Sequence, residues 1–525
     1  MKIKLFQNKK TNAIAKGVVF VFGLSLFSGC TEENVLDLEP FNQISEDAAF
    51  SSPELIELSV NGMYQAAQRG DYAGNLRGYP FGSAFIQQGD NRGEDVVNVA
   101  TFYQLTYTAT YDPTTANNVY YWSDTYRLIN RANIIIDGVT KAVEAGVISE
   151  EVGDDYIGQA KFFRAISHME LLQNFARPYN HTAGASHEGI PYREIPFTTP
   201  ANIEAGLSQG RNTVAEAYDK VIADLDDAEE LMLSKAERGG TEGIIRATEE
   251  AAIAMKTRAY LNMRMWDKVI EEGNKILDDY ALTEDPNTVF ENGYSNTESI
   301  FSIEHTETNN PGVNAALASQ YNRRGLVVIS PIIWRNPMWL ADDQRRSEDL
   351  VETRTGRKYT LKYKDATNYT DPAPIIRFAE VLLNMAEAHA RLGGAENAAK
   401  ALEYLNMVRN RSLANPATQA YTAASFTTQA ALVQAIITER RIEFVMEGRR
   451  WPDIHRLQND PLVNLDGIPA KVANGLPPAS AYELGTPYTG PYGVEAIPYE
   501  DYRFLWPIPQ QELNNNPILT QNPGY

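Results

Sequence analysis

The chain has 525 residues, with 47 Lys and Arg against 68 Asp and Glu, and a formal net charge of −21. This acidity argues against binding to DNA, RNA or an anionic membrane surface, because affinity for phosphate depends on basic side chains. The single cysteine excludes an intrachain disulfide, and a chain of this length can bury a large core without one.

The first 30 residues have the layout of a secretory signal peptide that ends at Cys30. Lysines precede an apolar run at 18–27, and two small residues, Ser28 and Gly29, come directly before the cysteine. The run is too short for a membrane-spanning helix, which needs roughly 20 residues. We therefore expect residues 1–29 to be a lipoprotein signal, Cys30 to be lipidated, and the acidic segment 30–42 to be a tether. An ordinary signal peptide with an incidental cysteine is the alternative.

Four long helices are predicted in the first half of the chain. Ser52 and Pro53 can cap and start the first, because a serine side chain bonds free amides and proline fits the first turn. Apolar residues at helical spacing predict three more, at 119–139, 155–175 and 213–233.

Two stretches have the pattern of helix–turn–helix repeats, in which one apolar stripe, a short turn and a second stripe follow each other. The stripes and turns are 252–263, 264–266 and 269–277 in the first, and 375–386, 393–394 and 398–408 in the second. Each unit has about 34 residues, which is the tetratricopeptide period, and small residues stand where helices must approach. The helices near 157–175 and 213–233 are a further candidate pair.

Four segments lack helical spacing and are rich in Gly, Pro, Asn, Thr and aromatic residues. Loops this long are usually functional or disordered, and their aromatic content argues against disorder. We therefore predict a mainly α fold, a tetratricopeptide-like helical-repeat scaffold in a single domain at 43–525. Its loop-rich excursions are expected near 75–118, 179–212, 279–363 and 461–501.

No metal site, cofactor or catalytic centre is expected from the sequence. The six histidines are scattered, and none forms a short-spaced His or Cys pair of the zinc-binding kind. No EF-hand spacing is present, although a calcium ion that orders an Asp- and Asn-rich loop is left open.

Three segments carry a family resemblance. The C-terminus contains Trp506-Pro-Ile-Pro509, Glu512, Asn514 to Pro517, Leu519 and Gln521-Asn-Pro-Gly-Tyr525. The other two segments are Arg377-Phe-Ala-Glu-Val-Leu-Leu-Asn-Met-Ala-Glu-Ala388 and Glu439-Arg-Arg-Ile-Glu-Phe-Val-Met-Glu-Gly-Arg-Arg-Trp-Pro-Asp-Ile-His-Arg456. Together with the lipoprotein-like start, they make the chain resemble the RagB/SusD nutrient-binding outer-membrane lipoproteins over nearly its whole length.

The resemblance implies capture of an oligosaccharide, or in some members a peptide, for a partner TonB-dependent, SusC-like transporter. It implies a protein without chemistry of its own, held by lipid in the outer membrane, facing the cell exterior and acting as a lid on the transporter. Two alternatives remain open. Plentiful carboxylates allow a surface glycosidase, and tetratricopeptide repeats commonly serve as scaffolds that bind proteins.

The C-terminal motif indicates a structural role. The prolines of Trp506-Pro-Ile-Pro509 exclude a helix in this segment and predict an extended strap over the helices, with Trp506 and Ile508 buried. Three further tryptophans lie in helical or motif segments and are also expected in the core: Trp122, Trp266 and Trp451.

The segment 439–456 is dense in arginine and glutamate. The spacing of Arg440 to Glu443 and of Glu447 to Arg450 is typical of charge pairs on a helix. We interpret the segment as a salt-bridge network that ties helices to loops, rather than as a catalytic acid–base cluster.

Ligand-binding side chains are expected in the loops, because the resemblance implies a ligand surface there. A sugar needs flat aromatic faces for its C–H side and planar polar groups for its hydroxyls. The candidates are Asp90, Asn91, Arg92, Asp95, Phe102, Tyr103, Tyr107 and Tyr111 in the first excursion, and Tyr321, Arg323 and Trp334 in the middle one. For each aromatic, the alternative is an anchor packed on the scaffold.

Overall fold

The structure is a computed structural model that describes residues 46–70, 77–291 and 293–525. Cys30, the signal at 1–29 and the tether at 30–42 lie outside the described residues, so the lipoprotein assignment stays a prediction. Residues 50–525 form one compact unit, and the helix Glu46–Ala49 belongs to a separate N-terminal unit. No helix within the described ranges is long and apolar enough to cross a bilayer.

Twelve helices of seven or more residues occur in the described chain. They are α1 (Pro53–Arg69), α2 (Ser83–Arg92), α3 (Ala116–Glu144), α4 (Glu150–Phe175), α5 (Pro200–Leu207), α6 (Val214–Leu231), α7 (Glu249–Met263), α8 (Trp266–Lys275), α9 (Phe378–Leu392), α10 (Ala395–Asn410), α11 (Gln429–Glu443) and α12 (Arg450–Arg456). Shorter α-helices are Gln104–Tyr107, Lys235–Arg238, Glu242–Ile245, Thr288–Glu291, Pro331–Trp334, Pro416–Gln419 and Gln510–Asn515. A π-helix spans Ala318–Arg323.

Six short strands among the described residues form three antiparallel pairs. They are β1 (Val96–Asn98), β2 (Ser299–Ile303), β3 (Val327–Ile329), β4 (Val351–Arg354), β5 (Arg357–Thr360) and β6 (Ala373–Arg377). β1 pairs with β3, β2 with β6, and β4 with β5. The pairs β1–β3 and β2–β6 join segments that are far apart in the chain, whereas β4 and β5 form a hairpin.

The long helices pack in chain order into an array. α3 packs on α4, α4 on α6, α6 on α7, α7 on α8, α8 on α9, and α9 on α10 and α11. The mainly α, tetratricopeptide-like prediction is therefore confirmed, including the pairing of α4 with α6 across a long insertion. Local signals place the ends: the Ser52 hydroxyl accepts from the Leu55 amide at 3.4 Å, and Pro53 opens α1.

The two predicted helical hairpins are present, with one correction. Arg264 at φ +62° closes the turn between α7 and α8, and Gly393 and Gly394 at φ +72° and +83° separate α9 from α10. Ile375 was expected in the stripe of α9 but lies in β6, paired with β2. Prolines at 372 and 374 exclude a helix there, and a short buried apolar run does not distinguish a strand from a helix by its spacing.

The Trp506–Pro509 segment of the C-terminal strap is extended, as predicted, and the short helix Gln510–Asn515 follows it. Trp506 and Ile508 are fully buried, and the Trp506 amide donates to the Asn174 carbonyl of α4 at 3.0 Å. Arg92 of α2 lies over the rings of Trp451 and Trp506, at 3.3 and 4.6 Å from their centroids. Trp122 and Trp451 are in the core as expected, whereas Trp266 is only half-buried.

The charges of 439–456 form a buried network, but not with the predicted partners. Arg440 pairs with Asp453 at 3.1 Å rather than with Glu443. Glu443 instead meets Arg377 of β6 at 2.7 Å, and Arg450 meets Glu94 of the first excursion at 2.7 Å. Helical spacing by itself does not select the partner, since Asp453 and Arg456 pair within α12 at 2.8 Å whereas Arg440 and Glu443 do not pair. In the interior, each carboxylate needs whichever cation the tertiary fold brings to it.

Candidate ligand-binding face

The first and middle excursions meet in the β1–β3 ladder. Val96 lies opposite Ile329, and Asn98 lies opposite Val327. The Val99 amide extends the ladder by donating to the Leu326 carbonyl at 2.9 Å. The two excursions are therefore neighbours, although more than 200 residues of chain separate β1 from β3.

The excursion at 461–501 closes on the same ladder. The Gly475 amide donates to the Asn98 carbonyl at 2.9 Å, and the Tyr482 hydroxyl donates to the Ile329 carbonyl at 2.8 Å. Tyr107, from the short helix after β1, donates its hydroxyl to the Val472 carbonyl at 2.7 Å. Three of the four predicted excursions thus converge at one point outside the helical array.

An aromatic ring and arginines lie at the open end of this ladder. Phe102 is half-buried, with the Arg77 guanidinium 3.9 Å from its ring centroid and Tyr103 packed edge-on at 4.6 Å. Arg323 is exposed at the end of the π-helix and donates to the Ala366 carbonyl at 3.1 Å. Because β1 and β3 run antiparallel, the chains that carry Phe102 and Arg323 leave the same end of the ladder.

Four arginines line this end and are called here the arginine rim: Arg323, Arg324, Arg354 and Arg357. Strands β4 and β5 form a hairpin that packs against the π-helix, and Arg354 donates to the Asn322 carbonyl. Strand register places Arg357 on the same face of the hairpin as Arg354, and its Nε donates to the Pro477 carbonyl at 2.8 Å. Arg354 pairs with Glu352 at 3.3 Å, the one ion pair of the rim within the described chain.

Comparison with known proteins places this architecture. A model described as "SusD family" matches residues 335–525, and one described as "Starch-binding associating with outer membrane" matches residues 34–261. SusD-like protein P25 of Formosa agariphila is 26% identical over 97% of this chain and 99% of its own length.

The chain belongs to the SusD/RagB family. A crystal structure of a SusD superfamily protein from Bacteroides fragilis has a TM-score of 0.74 at 29% identity, covering 90% of this chain and 99% of that one. Surface glycan-binding protein A from Bacteroides fluxus shares the fold, with a TM-score of 0.65 at 21% identity over 90% of this chain and 100% of its own.

In this SusD/RagB protein, Asp95 holds the first excursion to the array. Arg441 of α11 pairs with Asp95 at 2.5 Å and with the neighbouring Glu94 at 2.9 Å, and Arg450 of α12 also pairs with Glu94. Burial raises the pKa of Glu94, but Arg450 and Arg441 outweigh it and bring the pKa down to about 2. Asp95 therefore anchors β1 from inside.

Asp90 joins two excursions in the interior. The Tyr321 hydroxyl donates to one of its oxygens at 2.5 Å, and the Gly448 amide donates to the other at 2.8 Å. Burial raises the pKa of the Asp90 carboxyl to about 7, because its hydrogen bonds only partly offset the loss of water. The candidates Asp90 and Tyr321 are thus hydrogen-bonded to each other in the interior.

The remaining buried candidates also have internal roles. Arg92 donates to Asn174 and to the Phe504 carbonyl, both at 2.7 Å, and so fixes the C-terminal strap. Tyr111 donates to the Arg503 carbonyl, and Trp334 packs against Trp339 and Arg346. The buried candidates are Asp90, Asn91, Arg92, Asp95, Tyr103, Tyr107, Tyr111, Tyr321 and Trp334.

A ligand therefore meets none of these nine side chains in the described conformation, and Phe102 and Arg323 are the accessible candidates. Aromatic rings and planar polar groups suit a sugar, but they equally suit a long loop that must bury its own turns and satisfy their hydrogen bonds. Arg77, Arg324, Arg354 and Arg357 were missed. The charge of the segment 321–364 could have indicated three of them, since it carries ten Lys and Arg against five Asp and Glu.

Proposed function

We propose that this protein is a lipid-anchored surface binding protein that captures an oligosaccharide. The observation that carries the proposal is the convergence of three excursions, which leaves Phe102 and the arginine rim at one accessible edge. An aromatic ring covers the C–H face of a sugar, and guanidinium groups donate to its oxygens. Relatives described as SusD-like or as glycan-binding support this ligand class.

Delivery to a TonB-dependent transporter, with the protein as its lid on the outer membrane, completes the proposal. The helical array supplies a rigid support, and the excursions supply the ligand contacts. Binding alone is sufficient for this role, so the protein acts without a cofactor and without turnover of its ligand. Among the described residues, no group of three or more His, Cys, Asp or Glu side chains is placed to hold a metal ion.

Calorimetry with a panel of oligosaccharides and peptides tests the proposal. Phe102→Ala should weaken the binding of an oligosaccharide about tenfold, a loss of about 1.4 kcal/mol. Phe426→Ala is the matched control, because Phe426 is also half-buried but lies in the loop between α10 and α11. It should leave the affinity unchanged.

Three outcomes would contradict the proposal at different points. If the protein binds a sugar and Phe102→Ala does not weaken the binding, the ligand site lies elsewhere. If the protein releases products from an oligosaccharide, it is a glycosidase and not only a binding protein. A protein inert towards sugars and peptides that still retains a protein partner in a pull-down would favour the interaction scaffold.

A further inference from the structure

The charge of the arginine rim is opposite to that of the protein. The chain has a formal net charge of −21, yet the segment 321–364, which carries the rim, has ten Lys and Arg against five Asp and Glu. On the π-helix and on β3, β4 and β5, the single carboxylate is Glu352. A local cationic surface on a strongly acidic protein concentrates anions and steers them to one place.

The guanidinium groups of Arg323 and Arg324 are only weakly engaged by the protein. Arg323 reaches the Ala366 carbonyl at 3.1 Å and the Tyr369 hydroxyl at 3.4 Å, both through Nη1. Arg324 reaches the Val313 carbonyl at 3.4 Å and the Asn314 amide oxygen at 3.3 Å, again through Nη1. Each guanidinium has five N–H donors, so most of them remain for a ligand.

The interior shows what this chain does with arginines that serve structure. Arg377 contacts Glu298, Glu443 and Glu447 at 2.5 to 2.9 Å, and its Nε, Nη1 and Nη2 all donate. The rim arginines Arg323, Arg324 and Arg357, by contrast, make no ion pair with any described carboxylate. Like charges that are adjacent and unpaired repel one another, and a bound anion removes that repulsion.

We infer that the captured glycan is anionic, and that its carboxylate or sulfate groups bind the arginine rim while a sugar ring packs at Phe102. The inference rests on the proposed function and narrows its ligand class. Planar guanidinium groups match both carboxylate and sulfate oxygens with paired hydrogen bonds. Carboxylate and sulfate groups share this chemistry, so the experiment must distinguish between them.

Matched polysaccharide pairs provide the probes for affinity electrophoresis of the full-length protein. Polygalacturonate is compared with its methyl ester to test carboxylate, and carrageenan is compared with agarose to test sulfate. We expect retardation by the charged member of at least one pair, with affinity that falls as NaCl is raised. Arg323→Gln combined with Arg324→Gln should weaken that binding at least tenfold and flatten its salt dependence.

The control removes the same number of charges elsewhere. Lys268 and Lys400 are exposed on α8 and α10, each paired with a glutamate on its own helix. Lys268→Gln with Lys400→Gln should leave the retardation unchanged, and thermal melting should show that both double variants are folded. Arg323→Lys with Arg324→Lys should recover part of the binding, because the charge returns without the planar fork.

Each other outcome overturns the inference in a distinguishable way. Binding to the neutral members, unaffected by the double arginine variant, would overturn the anionic ligand and leave glycan capture standing. Binding to an acidic peptide but to no polysaccharide would overturn both the inference and the proposed function. Retardation by no probe would also count against both.

Discussion

Arginines in the helical array and arginines on the rim meet opposite environments. Arg258 of α7 forms two hydrogen bonds of 2.8 Å with Glu380 of α9, and Arg456 of α12 pairs with Glu387 at 2.6 Å. Burial raises the pKa of Glu380, but Arg258 and Arg449 outweigh it and bring the pKa down to about 2. Arg323 and Arg324 are exposed and have no such partner among the described residues.

The difference separates two uses of one residue type. A buried guanidinium needs carboxylates, or at Arg92 an amide oxygen, a carbonyl and aromatic rings, because an unpartnered one costs several kcal/mol. The fold therefore determines its partners. An exposed guanidinium is stabilised by water and can exchange water for a ligand. The buried arginines therefore maintain the shape of the protein, and the exposed ones, Arg323 and Arg324, are available for binding.

The largest effect is expected at Arg377. Arg377→Met removes the shared partner of Glu298, Glu443 and Glu447 and leaves buried carboxylates underpaired. We expect the free energy of unfolding to fall by about 3–5 kcal/mol. Urea unfolding measures it, with Arg323→Gln as the comparison, for which the expected change is within about 0.5 kcal/mol. Equal midpoints for the two variants would remove the distinction between the regions.

A smaller effect is expected at Asp90, which belongs to an excursion but behaves as an interior residue. Its pKa is raised to about 7 by burial, so the folded protein holds a proton there that the unfolded chain, with a pKa near 3.8, releases. The stability contributed by this proton is complete below about pH 4 and is lost as the pH rises through about 7. Lys362 opposes the shift and Glu447 reinforces it.

Asp90→Asn removes this titration. The free energy of unfolding of the variant minus that of the wild type should rise by about 2–4 kcal/mol between pH 4 and pH 8. Denaturant unfolding at several pH values measures this difference. Its change with pH is independent of any constant cost of the altered hydrogen bonds. Asp137→Asn, on the exposed side of α3, is the control. A difference that does not change with pH would show that Asp90 is charged in the folded protein.

How much could be predicted differs between the array and the excursions. Ser52-Pro53, Gly393-Gly394 and the prolines of the strap act locally, so their helix ends, turn and extended tail follow from the sequence. The pairing of Arg441 with Asp95 joins residues 346 positions apart, and nothing local encodes it. Tertiary contact also decided which loop aromatics are buried, since Tyr103 and Phe102 are adjacent in sequence but only Phe102 remains partly accessible.

The smallest effect is expected at Glu352, the carboxylate of the rim. It pairs with Arg354 at 3.3 Å and accepts from the Asn322 amide at 3.3 Å, and both charged side chains are partly solvated. Such an exposed pair contributes about 0–1 kcal/mol, so Glu352→Gln should barely alter urea unfolding. Removal of a carboxylate from the interior, as in Glu443→Gln, should instead cost several kcal/mol, because Arg377, Arg345 and Arg411 all contact it.

Glu352→Gln also tests, through ligand binding, whether the rim arginines differ from the buried ones. With Arg354 released from its partner, an anionic glycan should bind about two- to threefold more tightly at low salt, and the gain should shrink as NaCl screens it. Affinity electrophoresis of the variant with polygalacturonate and carrageenan measures the change, and the neutral agarose should show none. A gain that persists at high salt would not be electrostatic. A loss of binding would place Glu352 itself among the groups that hold the ligand, and the rim would then use a carboxylate as well as its arginines.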